Sequence, residues 1–199
     1  MRLDQKYSRK TITEVVGHDL TDVVYWLEEP EPQCWMFYGP PWTGRSSSVS
    51  ALAKDRGVDR DWDLHYLECG NIGKNELEDT LNRCRKYPMG KFHLIWLEEF
   101  ERLSPQAQVF LKTRLDIQNL SASTMVFACS NDLSLIDEAL LQRFDSIEFK
   151  SDDSFKDACF QRMAEIWDTE AGDCPIPQEA DSWGYDSIKR FSMRLALRS

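Results

Sequence analysis

With 199 residues, 42% of them hydrophobic and 29% charged, the chain has the composition of a folded globular protein and the length for one α/β domain plus a small appendage. Its formal charge of −10 at pH 7 excludes a protein that coats nucleic acid through overall positive charge, and leaves room only for a local basic face. The apolar run Phe92 to Leu97 is far shorter than the ~20 residues of a membrane-spanning helix, and Met1 to Lys6 opens no secretory signal, so the chain is expected to be cytoplasmic without a membrane partner.

Leu20 to Trp26 has helical periodicity, which Glu28-Glu29-Pro30-Glu31-Pro32 ends because proline brings no N–H to the ladder. Cys34 to Tyr38 is apolar and rich in aromatics and is closed by Gly39-Pro40-Pro41, predicting a buried strand that enters a tight loop before helix resumes at Ser46. Leu64 to Glu68 predicts a second strand, Asn75 to Lys86 a helix, and Phe92 to Leu97 a third, strongly buried strand. Pro105 to Leu115 reads as a helix with Ser104 as its N-cap and Pro105 at its first position. Thr124 to Cys129 and Ser146 to Phe149 complete the strands. Strands alternating with helices predict a largely parallel sheet covered on both faces. Beyond Phe149 the strand signals stop, acidic residues gather between Asp152 and Asp181, and the rest reads as helices broken at Gly172 to Pro177. The division is therefore an α/β domain over 1–150 and a small helical unit over 151–199. Cys34, Cys69, Cys84, Cys129, Cys159 and Cys174 stand singly, with no CxxC pair and no zinc-knuckle histidine beside them. Free thiols, and no structural metal, are expected.

Gly39-Pro40-Pro41-Trp42-Thr43-Gly44-Arg45-Ser46-Ser47 lies between an apolar strand and a helix and fits G-x-x-x-x-G-K-S/T with Arg45 in place of lysine. In such a loop the glycines let successive N–H groups face a phosphate, the helix N-terminus adds partial positive charge, and the Ser46 hydroxyl reaches a magnesium ion. Taken alone, the same string also suits a Gly/Pro-rich turn. Arg45 keeps the charge but has a wider, planar head, so binding can persist where hydrolysis suffers. Downstream, the strand Phe92 to Leu97 delivers Glu98 and Glu99 to its carboxyl end, where open α/β sheets bind ligands. Read as a Walker B pair, Glu98 is the metal-side carboxylate and Glu99 the base that polarises the attacking water.

Lys6-Tyr7-Ser8-Arg9-Lys10-Thr11-Ile12-Thr13-Glu14-Val15-Val16-Gly17-His18 resembles the N-terminal box of the AAA+ ATPase subunits of sliding-clamp loaders, the replication factor C small subunits and phage loader subunits among them. Ser8 and Arg9 stand where that family has Arg-Pro, and Glu98 where it usually has Asp. The resemblance implies an AAA+ parallel sheet flanked by helices and followed by a small all-helical lid, with Tyr7, Val15 and Val16 lining an adenine pocket. It also implies that Asn131, after Phe127-Ala128-Cys129-Ser130, is the sensor 1 residue, that Arg143 in Gln142-Arg143-Phe144 reaches a neighbouring subunit's ATP site, and that Arg194 in Phe191 to Leu197 is the sensor 2 residue of the lid.

The resemblance makes ATP and Mg²⁺ the expected cofactors, and other loader subunits, a sliding clamp and primer-template DNA the expected partners. Lys74, Arg83, Lys86 and Lys112 are candidates for phosphate contacts on the DNA. The helical collar of such subunits has no counterpart here, and the compact, divergent sequence suits a phage replisome, hence a host cytoplasm. Arg45 and Glu98 keep a second reading open, a nucleotide-binding subunit that does not hydrolyse but donates Arg143 to a neighbour; another AAA+ activity on DNA, such as helicase loading, is a third.

Overall fold

The computed structural model describes residues 6–7, 11–12, 15–26 and 32–171. The apolar runs form five strands, β1 (Gln33–Tyr38), β2 (Leu64–Glu68), β3 (His93–Glu98), β4 (Thr124–Ser130) and β5 (Asp145–Glu148), joined in one sheet of order β2-β3-β4-β1-β5. All pairings are parallel, with Leu64 beside Leu94, His93 beside Thr124, Gln33 beside Met125 and Trp35 beside Asp145. β4 is buried at every position because it has strands on both sides and helices on both faces.

The two-residue period of each strand sorts its side chains between two cores. Met36, Ile95, Leu97, Val126 and Ala128 point to one face, closed by Leu77 of α3 (Lys74–Arg83), Phe110 and Leu111 of α4 (Pro105–Arg114) and Leu140 of α5 (Glu138–Leu141). Trp35, Phe37, Leu94, Met125 and Phe127 point to the other, closed by Val23 of α1 (Thr21–Trp26) and by Val49 and Leu52 of α2 (Arg45–Asp55). The Phe37 ring lies 5.5 Å from Phe127 and 5.0 Å from Phe149.

Ser104 caps α4 as expected, its Oγ accepting from the Ala107 N–H at 3.3 Å. α3 stops at Arg83, three residues short of the expected end, because the chain tightens through Arg85 and Lys86, whose N–H groups bond Asn82 and Arg83, and then meets Pro88. β5 ends at Glu148, one residue early, yet the Phe149 N–H still reaches the Tyr38 carbonyl at 2.7 Å. The five described cysteines are buried and none is in a disulfide, and burial, with Asp145 nearby, pushes the Cys34 thiol up to about 12.

Of residues 151–199, the described part is the helix α6 (Asp153–Ala171), which buries Phe155, Cys159, Met163 and Trp167 at a spacing of four. Residues 172–199 lie outside the described residues, and with them Cys174 and Arg194. Among the described residues no helix is long and apolar enough to cross a membrane.

Phe127→Ala, at the centre of the second core, is expected to lower unfolding free energy by about 3–5 kcal/mol, and Ser104→Ala by about 1 kcal/mol. Urea titrations followed by circular dichroism measure both; equal losses would contradict this division between core and cap.

Candidate functional site

β1 leaves the sheet through Gly39, whose φ of 142° and closeness to Phe149 admit no side chain: a β-carbon would lie 2.2 Å from the Phe149 carbonyl oxygen. The loop then passes through Trp42 (φ 69°) and Gly44 (φ 102°), both left-handed, and is pinned by Thr43 Oγ1 donating to the Pro40 carbonyl at 2.9 Å. Gly44 caps α2 without a side-chain hydrogen bond, which leaves the first N–H groups of this 11-residue helix to whatever anion lies in front of them. Pro40, Pro41 and Trp42 are exposed on the rim, whereas Thr43, Gly44 and Arg45 are buried.

Three strand ends converge beside this loop. From α2, Ser46 Oγ donates to Glu98 Oε1 at the end of β3 over 2.8 Å, while Glu98 Oε2 accepts from Trp96 Nε1 at 2.7 Å. A hydroxyl and a carboxylate so placed form an oxygen pair of the kind a hard divalent cation takes. Arg45, 8% exposed, extends to the end of β4, where its guanidinium donates to the Ser130 carbonyl and, at 2.5 Å, to Asn131 Oδ1. Asn131 is held in turn by Glu101, which accepts from its Nδ2 at 2.6 Å and its backbone N–H at 3.3 Å, and from Ser130 Oγ at 2.9 Å.

Glu99 takes a left-handed conformation (φ 53°) as the chain turns into the 3-10 segment Phe100–Arg102. Its Oε2 lies 2.9 Å from Arg102 Nη1, an ion pair without hydrogen-bond alignment. Ser47, the third residue of α2, is half-buried.

The N-terminal box ties the loop to α6. His18 Nε2 donates to the Thr43 carbonyl at 3.0 Å, and its ring lies 4.3 Å from Phe149 and 5.0 Å from Phe155. Gly17 (φ 74°) makes room, since a β-carbon there would come within 2.6 Å of Phe155 Cδ2. Tyr7 and Lys6 both donate to Glu170 of α6, and the bond to Glu170 holds the Tyr7 phenol above its ordinary value. Val15 and Val16 are half-buried.

The structure thus gathers Gly39 to Ser47, Glu98 and Asn131 at one sheet edge. Arg143 stands elsewhere, exposed, with Nη1 3.7 Å from Asp116 Oδ1 and Nε donating to the Lys112 carbonyl at 3.5 Å. Lys112 also pairs with Asp137 at 3.1 Å, Lys74 lies over the Phe110 ring, and Arg83 and Lys86 are exposed. Sequence reasoning passed over Glu101, Trp96, Glu170 and the role of His18. Only Glu101 left a trace, as a third carboxylate after the Glu98-Glu99 pair.

A parallel sheet that delivers a glycine loop into a helix N-terminus, with a carboxylate and an amide offered from neighbouring strand ends, is a P-loop nucleotide-binding domain. Within that class the chain belongs to the AAA family: the profile of the ATPase family associated with various cellular activities matches residues 35–152. The replication factor C small subunit of Archaeoglobus fulgidus is 26% identical over 174 residues, 83% of this chain and 53% of the relative. The chain spans about half the length of the curated relatives it matches. Two solved structures from Thermotoga maritima share the fold: a DNA polymerase III gamma subunit-related protein (TM-score 0.62, 12% identity, 77% of this chain and 53% of that one) and a RuvB variant (TM-score 0.61, 14% identity, 81% and 56%).

Glu101→Ala is expected to cost about 0.5–1.5 kcal/mol by removing the shared acceptor of the Asn131 donors and the Ser130 hydroxyl, which keeps the Asp132 carbonyl at 2.9 Å. In a double-mutant cycle with Asn131→Ala, read by thermal unfolding, the coupling should reach at least about 0.5 kcal/mol; strict additivity would remove the link.

Proposed function

We propose that this chain is an ATP-binding subunit of a DNA polymerase sliding-clamp loader, hydrolysing ATP with Mg²⁺ to place the clamp on primer-template DNA. The observation that carries the reading is the 2.8 Å bond between Ser46 and Glu98, which joins the phosphate loop to the acidic strand end across 52 residues. The family match supports nucleotide binding, and likeness to a relative named as a replication factor C small subunit supports the loader role.

In this reading Gly39 to Ser47 cradle the phosphates, Ser46 and Glu98 hold the Mg²⁺, and Tyr7, Val15 and Val16 border the adenine. The metal supplies charge neutralisation at the phosphates; Glu99 draws the proton from water, and Asn131 orients that water or the terminal phosphate. Arg143, exposed and held among the described residues by its surface neighbours Asp116 and Lys112, is available to an adjoining subunit's nucleotide. Arg194 acts from a helical lid over 151–199.

A second reading, nucleotide binding without turnover, is favoured by Arg45, whose guanidinium engages the very amide, Asn131, that hydrolysis would use. ATP turnover and nucleotide affinity of the purified chain, alone and assembled with its partner subunits, clamp and primed DNA, separate the two. If the chain hydrolyses, Glu99→Gln lowers turnover by about 10²–10⁴-fold with affinity retained. Binding without turnover, gained by Arg45→Lys, would establish the second reading instead. Arg143→Ala should leave this chain's own nucleotide affinity intact and slow turnover only in the assembly; a loss of its own affinity would place Arg143 in the wrong site.

A further inference from the structure

At the opposite, amino-terminal edge of the sheet the fold assembles a cluster that the sequence scatters. His65 is the second residue of β2, His93 the first of β3, and Cys84 follows the last turn of α3. The strand period sets His65 with Leu67, and His93 with Ile95 and Leu97, on the face that α3 covers, and one ligand atom from each of the three lies within 4.8 Å of the others. Cys84 and His93 are buried and His65 half-buried.

The hydrogen bonds fix which atoms look inward. His93 Nε2 faces the Lys86 carbonyl at 3.0 Å; a carbonyl only accepts, so the ring proton sits on Nε2. Its other ring nitrogen, Nδ1, faces His65 Nε2 at 3.3 Å and Asp63 Oδ1 at 3.4 Å. Asp63 is itself 1% exposed and anchored by the N–H groups of Met89 and Gly90 at 3.0 and 2.6 Å. Lone pairs converging in a buried place require a proton or a cation between them.

We propose that His65, Cys84 and His93 bind a zinc-class divalent metal, with Asp63 as the charge-balancing carboxylate. Two imidazoles and a thiolate are borderline-soft ligands suited to zinc rather than to magnesium or calcium. Zinc–nitrogen bonds of about 2.0–2.1 Å set two tetrahedral imidazole nitrogens about 3.3–3.4 Å apart, matching the His65–His93 spacing of 3.3 Å. A Cys84 thiolate and the Asp63 carboxylate together neutralise a dication. The Lys86 carbonyl on the far nitrogen of His93 is the orienting partner that metal-bound histidines use. Without the cation the thiol stays protonated, burial first and Asp63 second pushing Cys84 up to about 12; binding therefore releases that proton. Tying β2, β3 and α3 together, the metal is structural and separate from the nucleotide edge.

The test uses the full chain, stripped of metal by a chelator and kept in excess Mg²⁺ so that oxygen sites are filled, then titrated with Co²⁺ and, in competition, Zn²⁺. We expect about one equivalent of Co²⁺ giving the visible bands of tetrahedral cobalt with a thiolate-to-cobalt charge-transfer band, and a thermal midpoint that rises with Zn²⁺ and falls again with chelator. Cys84→Ser abolishes the charge-transfer band. His65→Gln, at a half-buried position, is expected to weaken zinc by roughly 10–100-fold or more with an unchanged circular dichroism spectrum. No tetrahedral cobalt spectrum, or a spectrum untouched by both substitutions in folded protein, overturns the site and leaves a proton-bridged histidine pair.

Discussion

Gly39 passes so close to the Phe149 carbonyl that the backbone of one strand end rests on the backbone of another, and this contact governs how β1 leaves the sheet. The Gly39 N–H bonds the Ser130 carbonyl at 3.2 Å on one side, and the Phe149 N–H bonds the Tyr38 carbonyl at 2.7 Å on the other. The phosphate loop is thereby referenced to both neighbours of β1 before any of its side chains act. With its root fixed, α2 starts in the direction that brings Ser46 to Glu98 and Arg45 to the end of β4. A side chain at position 39 would separate the strands and dissolve all three relations together.

The electrostatics at this edge explain how arginine can stand where the motif has lysine. A charge that is only 8% exposed needs acceptors, and the guanidinium finds two in a row, the Ser130 carbonyl and the Asn131 amide oxygen. A planar fork engages such a pair as an ammonium does not. Behind Asn131, the Glu101 carboxylate accepts both of the remaining donors on that residue and sets the orientation of its amide. Arg45, Asn131 and Glu101 are therefore one charge-balanced chain rather than a lysine site with a misfit residue.

How much of this was legible follows from the range of each signal. Strands, parallel order and the cap at Ser104 were readable because period, proline and capping chemistry act within a few residues. The phosphate loop and the pair Glu98-Glu99 were readable because each is a local string. Glu101 was not, since its position depends on the left-handed Glu99 and the 3-10 turn that buries Phe100 and swings the next carboxylate to β4. The proximity of His65, Cys84 and His93 was not legible either, because His65 and His93 are brought together by the pairing of β2 with β3, and Cys84 lies at the end of α3.

β3 carries His93 at one end and Glu98 at the other, a separation of roughly 16 Å at about 3.3 Å per residue. No ligand at the amino end can touch a nucleotide at the carboxyl end. What the two share is the strand itself, together with its pairing to β2 along Leu64 to Glu68. β2 is an edge strand with a single partner strand, so its attachment rests on that ladder, on α3 above it and on whatever joins His65 to His93. A metal there would act at one of the two edge strands of the sheet, and its effect on Glu98 would be confined to keeping β3 in register.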